Sequence, residues 1–237
     1  MVAVRGLEGW LRQRQLVRKE PFDALKGMRI GVDAFQWIRA STFLDESLSS
    51  ALGGRLLALE KNVAAELAEL HGAEVTPLVV FGGLAQSKKT KSPLASSRAK
   101  KFLEKRQDAW KAFESGKLRT AQQLFAQLGG YVSVGLQNRI FDMLQRRGIS
   151  CLRAPFSASA QLACFAKQQF VHAVFGGLEL LLMQVQRVIV TMNVREKYIE
   201  WVSLEDVLNE LKVDHATFVQ LCLVAGFDSC RTLPGLL

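Results

Sequence analysis

Asp33 closes the short apolar run Arg29-Ile30-Gly31-Val32-Asp33-Ala34, and a carboxylate at the exit of a buried strand can hold a ligand or a hard cation. Three other segments follow similar runs: Phe81-Gly82-Gly83, Pro155 to Ser159, and Gly176-Gly177. Ser157 and Ser159 would bring hydroxyls to that place, and the glycines bring no side chain. Neutral hydroxyls alone rarely hold magnesium, which gives up its water reluctantly and prefers anionic oxygens. Other catalytic chemistries find little support. His71, His172 and His215 are scattered along the chain and read as non-catalytic. Ser157 lies outside a G-x-S-x-G elbow, so Ser/His hydrolysis is not expected. The glycine pairs at 53–54, 129–130 and 176–177 lack the spacing and flanking Lys of a phosphate-cradling loop and read as turns. Cys151, Cys164, Cys222 and Cys230 sit in apolar surroundings without a C-x-x-C pair. They read as reduced, buried thiols of a cytosolic or nuclear protein.

A second chemistry is electrostatic. The formal net charge is +9, and eleven Lys and Arg against three acids fall between Leu84 and Thr120. Basic segments of this kind attract nucleic-acid phosphates, with Lys88, Lys89, Lys91, Arg98, Lys100 and Lys101 as the candidate contacts. The alternative is a solvated helical face on which Glu104, Asp108 and Glu114 serve as intrahelical partners. Trp110 and Phe113 could stack on bases, but at i, i+3 they are better suited to pinning their helix onto a neighbour.

The elements that must position these residues follow from periodicity. Apolar runs predict strands at 29–34, 75–81, 150–153, 171–175, 187–191 and 198–202. Helical spacing predicts helices over 49–70, over 97–127 with a break near Ser115-Gly116, and over 134–147, 157–170 and 215–224. A further helix starts at the capping box Ser203-x-x-Asp206. Alternating strands and helices imply a mainly parallel sheet covered on both faces, with ligands at the carboxyl ends of the strands. The four segments named first all fall at those ends. The chain's 237 residues, 49% of them hydrophobic, allow a sizeable core. The longest apolar run, 175–185, is too short to cross a bilayer, and no secretory signal is visible at the N-terminus.

Read in order, the motifs resemble the flap endonuclease/XPG nucleases. Val4-Arg5-Gly6-Leu7 is similar to that family's Met-Gly-Ile-x-Gly-Leu start, although displaced and without the second-position Gly. Ile30-Gly31-Val32-Asp33-Ala34 resembles the strand that carries the first metal-binding Asp. Val79-Val80-Phe81-Gly82-Gly83 resembles Val-Phe-Asp-Gly, with Gly82 in place of the Asp. The stretch from Ala154 to Cys164 resembles Ala-Pro-Gly-Glu-Ala-Glu-Ala-Gln-Cys-Ala, with Ser157 and Ser159 where two Glu ligands belong. Residues 173–181 align with Thr-Glu-Asp-Met-Asp-x-Leu, which puts Gly177 at one Asp and Glu179 at the other. Residues 221–230 resemble Leu-Cys-Ile-Leu-x-Gly-Cys-Asp-Tyr and keep Asp228.

The resemblance implies a three-layer α/β/α fold of the PIN/XPG-nuclease type. Its halves would span about 1–83 and 133–237, with a basic insertion over 84–130 in the place of the family's helical arch. It implies no catalytic residues and no resident cofactor. The degenerate positions are Asp33, Gly82, Ser157, Ser159, Gly177, Glu179 and Asp228, and at most three carboxylates cannot fill two coordination shells. A single weak metal between Asp33 and Asp228 is the alternative. The start Val-x-Gly-Leu-Glu-x-Trp-Leu-x-x-Arg-x-Leu-Val resembles the maintenance-of-killer-toxin proteins of fungi and kinetoplastids. Those proteins are longer, and their active relatives continue past the position of Leu236 with a helix-hairpin-helix element. Membership implies a cytoplasmic post-transcriptional regulator, with no membrane partner, that promotes translation or mRNA stability. Its partners would be an ataxin-2-like protein that contacts the poly(A)-binding protein, and mRNA-binding proteins engaged through peptide motifs. The competing expectation is a nucleic-acid-binding protein or a residually active metal-dependent nuclease.

Overall fold

The computed structural model describes residues 4–41, 47–52, 54, 56–84, 93–128 and 132–226. Seven strands form one mixed sheet in the order β1-β7-β6-β5-β2-β3-β4. Its parallel part comprises β2 (Arg29–Asp33), β3 (Thr76–Phe81), β4 (Cys151–Arg153), β5 (Ala173–Phe175) and β6 (Arg187–Asn193). β7 (Tyr198–Ser203) runs antiparallel to β6, and β1 (Val17–Pro21) runs antiparallel to β7. Sequence periodicity missed β1 because this edge strand carries charges and a proline instead of an apolar run. Its cations lie over rings of β7 instead, Arg18 over Trp201 and Lys19 over Tyr198.

Alternation along the strands feeds two cores. Ile30, Val32, Val79, Phe81 and Phe175 face α2 (Ala34–Ser41), α4 (Leu57–Gly72) and α7 (Val134–Arg146), which contribute Trp37, Leu59, Val63, Ile140 and Leu144. Leu78, Val80, Val174, Val188 and Val202 face the other layer: α1 (Leu7–Gln13), α8 (Ala158–Lys167), α9 (Glu179–Leu182), α10 (Leu204–Leu211) and α11 (His215–Ala225). α8 lies so close to β2 that a Cβ on Gly31 would sit 2.6 Å from Leu162 Cδ2. Serine or aspartate caps start α7, α8, α10 and α11, and Ser203 accepts from the Asp206 N–H as its motif predicts.

Two helical expectations are corrected. The stretch 49–70 is two helices, α3 (Ser47–Ala51) and α4, because the Gly54 N–H turns back onto the Ser49 carbonyl. α8 ends at Lys167, after which Gln169 takes a positive φ of 56° and starts the descent into β5. The break near Ser115-Gly116 holds, separating α5 (Pro93–Glu114) from α6 (Leu118–Gln127). That hairpin has its own small core, where Trp110 meets Phe113 and Phe125 edge to face at 5.8 and 5.3 Å. The two rings therefore pin the hairpin, as their spacing predicts. Not all thiols are buried: Cys164 is exposed on α8, and Cys151, on the edge strand β4, is half-buried against the core. Burial pushes the Cys222 thiol up to about 11, and Cys230 lies outside the described residues.

Candidate functional site

The carboxyl ends of β2, β3 and β4 open into one cavity of about 780 Å³, lined by Asp33, Gly82, Gly83, Ala154, Phe156, Ser157, Ser159 and Glu179 among others. Asp33 leaves β2 directly into α2. Its Oδ1 accepts from the Phe35 and Gln36 N–H groups at 2.9 and 3.2 Å, so the carboxylate doubles as the helix cap. Oδ2 accepts from the Ser159 hydroxyl at 3.4 Å, and the same Ser159 Oγ lies 3.2 Å from Glu179 Oε1. One hydroxyl thus bridges two carboxyls brought together from β2, α8 and α9.

The electrostatics of this trio are those of a nearly sealed pair. Asp33 is 6% exposed and Glu179 5%. Desolvation raises the Asp33 carboxyl above its ordinary value, against the lowering effect of its backbone and Ser159 hydrogen bonds. Desolvation likewise raises Glu179, and the neighbouring Asp33 charge adds to the shift. Ser159 has one hydrogen to give. Its contact with the second carboxyl is complete only when that carboxyl keeps its proton. Glu179 Oε2 is buried without a hydrogen-bond partner among the described residues.

The glycines explain how Glu179 reaches this pose. A Cβ on Gly177 would lie 2.0 Å from Glu179 Oε2, so an acid at 177 and the present Glu179 side chain exclude each other. Gly82 is different. A Cβ there meets only the Phe156 carbonyl at 3.9 Å, so the missing side chain leaves open space in the cleft. Gly83 is packed hard against the Ala154 and Pro155 carbonyls, where the Gly83 and Leu84 N–H groups donate to the Phe156 and Pro155 oxygens. Ser157 spends its hydroxyl on the Ala160 N–H as the cap of α8.

Six of the seven positions singled out by sequence therefore lie in the described part of the molecule. Asp33, Gly82, Ser157, Ser159 and Glu179 line the cavity, and Gly177 lies under the Glu179 carboxyl. Asp228 falls outside the described residues. Among the described residues no cluster of three or more His, Cys, Asp or Glu could hold a metal ion. Among the described residues, two buried carboxyls and a hydroxyl fall short of the anionic donor set that two divalent cations require. Of the basic candidates, Lys100 and Lys101 are exposed on α5 and Arg98 lies on the same helix, while Lys88, Lys89 and Lys91 fall outside the described residues. Lys111 pairs with Asp108 at 3.9 Å, in keeping with a partly neutralised helical face.

Sequence reasoning missed the cavity's outer wall. Leu84, Val134 and Phe156 line it, and so do Gln137 and Arg153. No periodicity marks them, since each belongs to a loop, a helix start or a strand end.

Comparison with known proteins places this geometry. The XPG N-terminal domain matches residues 2–109 and the XPG I-region residues 148–228. The Post-transcriptional regulator MKT1 of Cryptococcus neoformans is 25% identical over 98% of this chain, which spans 31% of that protein. Flap endonuclease 1 of Tetrahymena thermophila is 27% identical over 67% of this chain and 41% of its own length. The catalytic core of Rad2 in complex with DNA substrate superposes with a TM-score of 0.67 at 18% identity, over 99% of this chain and 64% of that one. The chain thus spans about a third of the MKT1 relative it matches.

Proposed function

This chain belongs to the XPG-like nucleases, and we propose that it is a member that has given up hydrolysis and serves as a protein-interaction scaffold in post-transcriptional regulation. The observation that carries the reading is the state of the cleft. Two of its carboxyls share one serine hydroxyl, and Glu179 folds into the space that an acid at Gly177 would need. Phosphodiester cleavage by this architecture needs two cations about 4 Å apart in anionic shells. Asp33 offers oxygens already committed to two backbone N–H groups and to Ser159. Ser157 and Ser159 are neutral, and Gly82 and Gly177 offer no ligand. No resident metal follows from this donor set.

Similarity to the MKT1 proteins, named post-transcriptional regulators, supports the regulatory part of the reading. In it the cleft and its surrounding grooves take peptide segments of partners. These would be an ataxin-2-like protein that contacts the poly(A)-binding protein, and mRNA-bound proteins, acting in the cytoplasm to promote translation or mRNA stability. The domain division proposed from sequence, 1–83 and 133–237 around the insertion 84–130, fits the same reading, with the α5–α6 hairpin in the insertion.

Cleavage assays test the proposal. Flap, single-stranded and duplex substrates with Mg²⁺ or Mn²⁺ should stay intact at any concentration of the chain. Metal-dependent cleavage that disappears in Asp33→Ala refutes it. A second reading, direct nucleic-acid contact, draws on the exposed Lys100, Lys101, Lys105 and Arg106 of α5. It requires binding that weakens steeply with salt.

A further inference from the structure

Taking the cleft as inert, on which this inference rests, we infer that its mouth binds an extended segment of a partner protein that carries a carboxylate beside bulky apolar side chains. The first observation is the rim. The three most exposed large apolar side chains among the described residues are Leu84 at 72%, Val134 at 71% and Phe156 at 63%. They come from three separate parts of the chain, and all three line the one cavity. Apolar surface gathered at the mouth of a cleft marks an interaction site, whereas the same side chains scattered singly would mean nothing.

The second observation gives the occupant its charge. Arg153, the last residue of edge strand β4, lines the same cavity. Among the described residues its guanidinium is held in place by neutral groups: Nη2 donates to Asn138 Oδ1 at 2.8 Å, and Cζ lies 4.6 Å from the Phe141 ring centroid. Among the described residues it has no acidic partner. A pre-positioned, unpaired guanidinium offers its remaining N–H groups to a carboxylate in fork geometry. The floor acids do not compete for it, because Asp33 and Glu179 are nearly sealed and spend their accessible oxygens on backbone N–H groups and Ser159. An RNA strand is the poorer fit. It needs a row of cations and several stacking rings, and among the described residues the cavity is lined by one cation, Arg153, and two rings, Phe35 and Phe156.

The test is selection from a display library of random peptides of about ten residues, with folding of each variant checked by thermal melting. Wild type should enrich peptides in which Asp or Glu is flanked by Leu, Ile, Phe or Trp. The best of these, synthesised and fluorescently labelled, should lose affinity about tenfold or more in Arg153→Glu and in Phe156→Ser. Selection against Arg153→Glu should return Lys or Arg at the acidic position. Arg146→Glu, in a separate cavity with Arg139 and Arg147, should leave affinity unchanged. Selected peptides with no acidic preference, peptides that still bind Arg153→Glu, or single-stranded oligouridylate displacing them at lower concentration than unlabelled peptide would each overturn the inference. Metal-dependent cleavage by the wild type would instead overturn the inert-cleft reading beneath it, so the two failures are distinguishable.

Discussion

Replacing Glu179 by Gln keeps the side chain's shape and removes its charge, which isolates the electrostatics of the cleft. Burial raises both Glu179 and Asp33 above the usual carboxylate range, with the Asp33 charge contributing to the Glu179 shift. A carboxyl whose folded value lies above its unfolded one binds more protons in the native state. The stability it contributes is full below the unfolded value and is lost as pH rises through the folded one. The wild type should therefore gain stability through this pair on going from about pH 7.5 to about pH 5, and Glu179→Gln should gain less. The half-buried Glu66, also raised by desolvation, contributes to both proteins and cancels in the difference. At neutral pH the amide ends the competition for the Ser159 hydroxyl. A buried polar group left unpaired costs about 1–3 kcal/mol, and recovering part of that makes the variant more stable by about 1 kcal/mol. For a chain of this size the gain is a rise in Tm of roughly 2–4 °C. Urea unfolding of both proteins at the two pH values measures it. A variant less stable than wild type at neutral pH, with an unchanged pH dependence, would refute the shared-hydroxyl description of the site.

Ser159→Glu should place a third carboxyl between two buried ones, lowering stability by about 1–3 kcal/mol without metal, and thermal melts in millimolar Mn²⁺ should show recovery if the old cation geometry is latent in the fold. Gly31→Ala drives a Cβ to 2.6 Å from Leu162 Cδ2; overpacking of this kind costs about 1–3 kcal/mol, and Leu162→Ala in the same chain should make the two effects non-additive in a double-mutant cycle. Trp110→Ala removes a half-buried ring from the hairpin core and should cost about 2–3 kcal/mol, below the value for a fully buried ring, with amide exchange accelerating in α5 and α6 before the sheet. Reversing the charge of Lys100 and Lys101 should leave melting unchanged; if the hairpin binds RNA, the slope of log affinity against log salt should fall by about 0.7 for each phosphate no longer neutralised.

Much of the fold was legible because buried strands and amphipathic helices write their period into the chain. The runs at 29–34 and 75–81, the break before Gly116 and the Ser203 cap all reappear in the folded chain. What escaped was set by pairing instead of by pattern: the charged edge strand β1 exists through its register with β7, and the short α3 ends where Gly54 bonds back to Ser49. In the cleft, the identity of Ser157, Ser159, Gly82 and Gly177 showed that these positions bring no carboxylate, since that is a property of residue type.

The arrangement of what is left belongs to the tertiary structure alone. Nothing in the spacing of residues 33, 159 and 179 says that one hydroxyl will bridge two carboxyls, or that Glu179 will lie over Gly177. Nor does it say that Leu84, Val134 and Phe156 will meet Arg153 at one rim. Sequence determines the chemistry each position can perform, because that resides in the side chain. Proximity among positions more than a hundred residues apart comes from strand order and helix packing, and so does the desolvation that shifts the carboxyls.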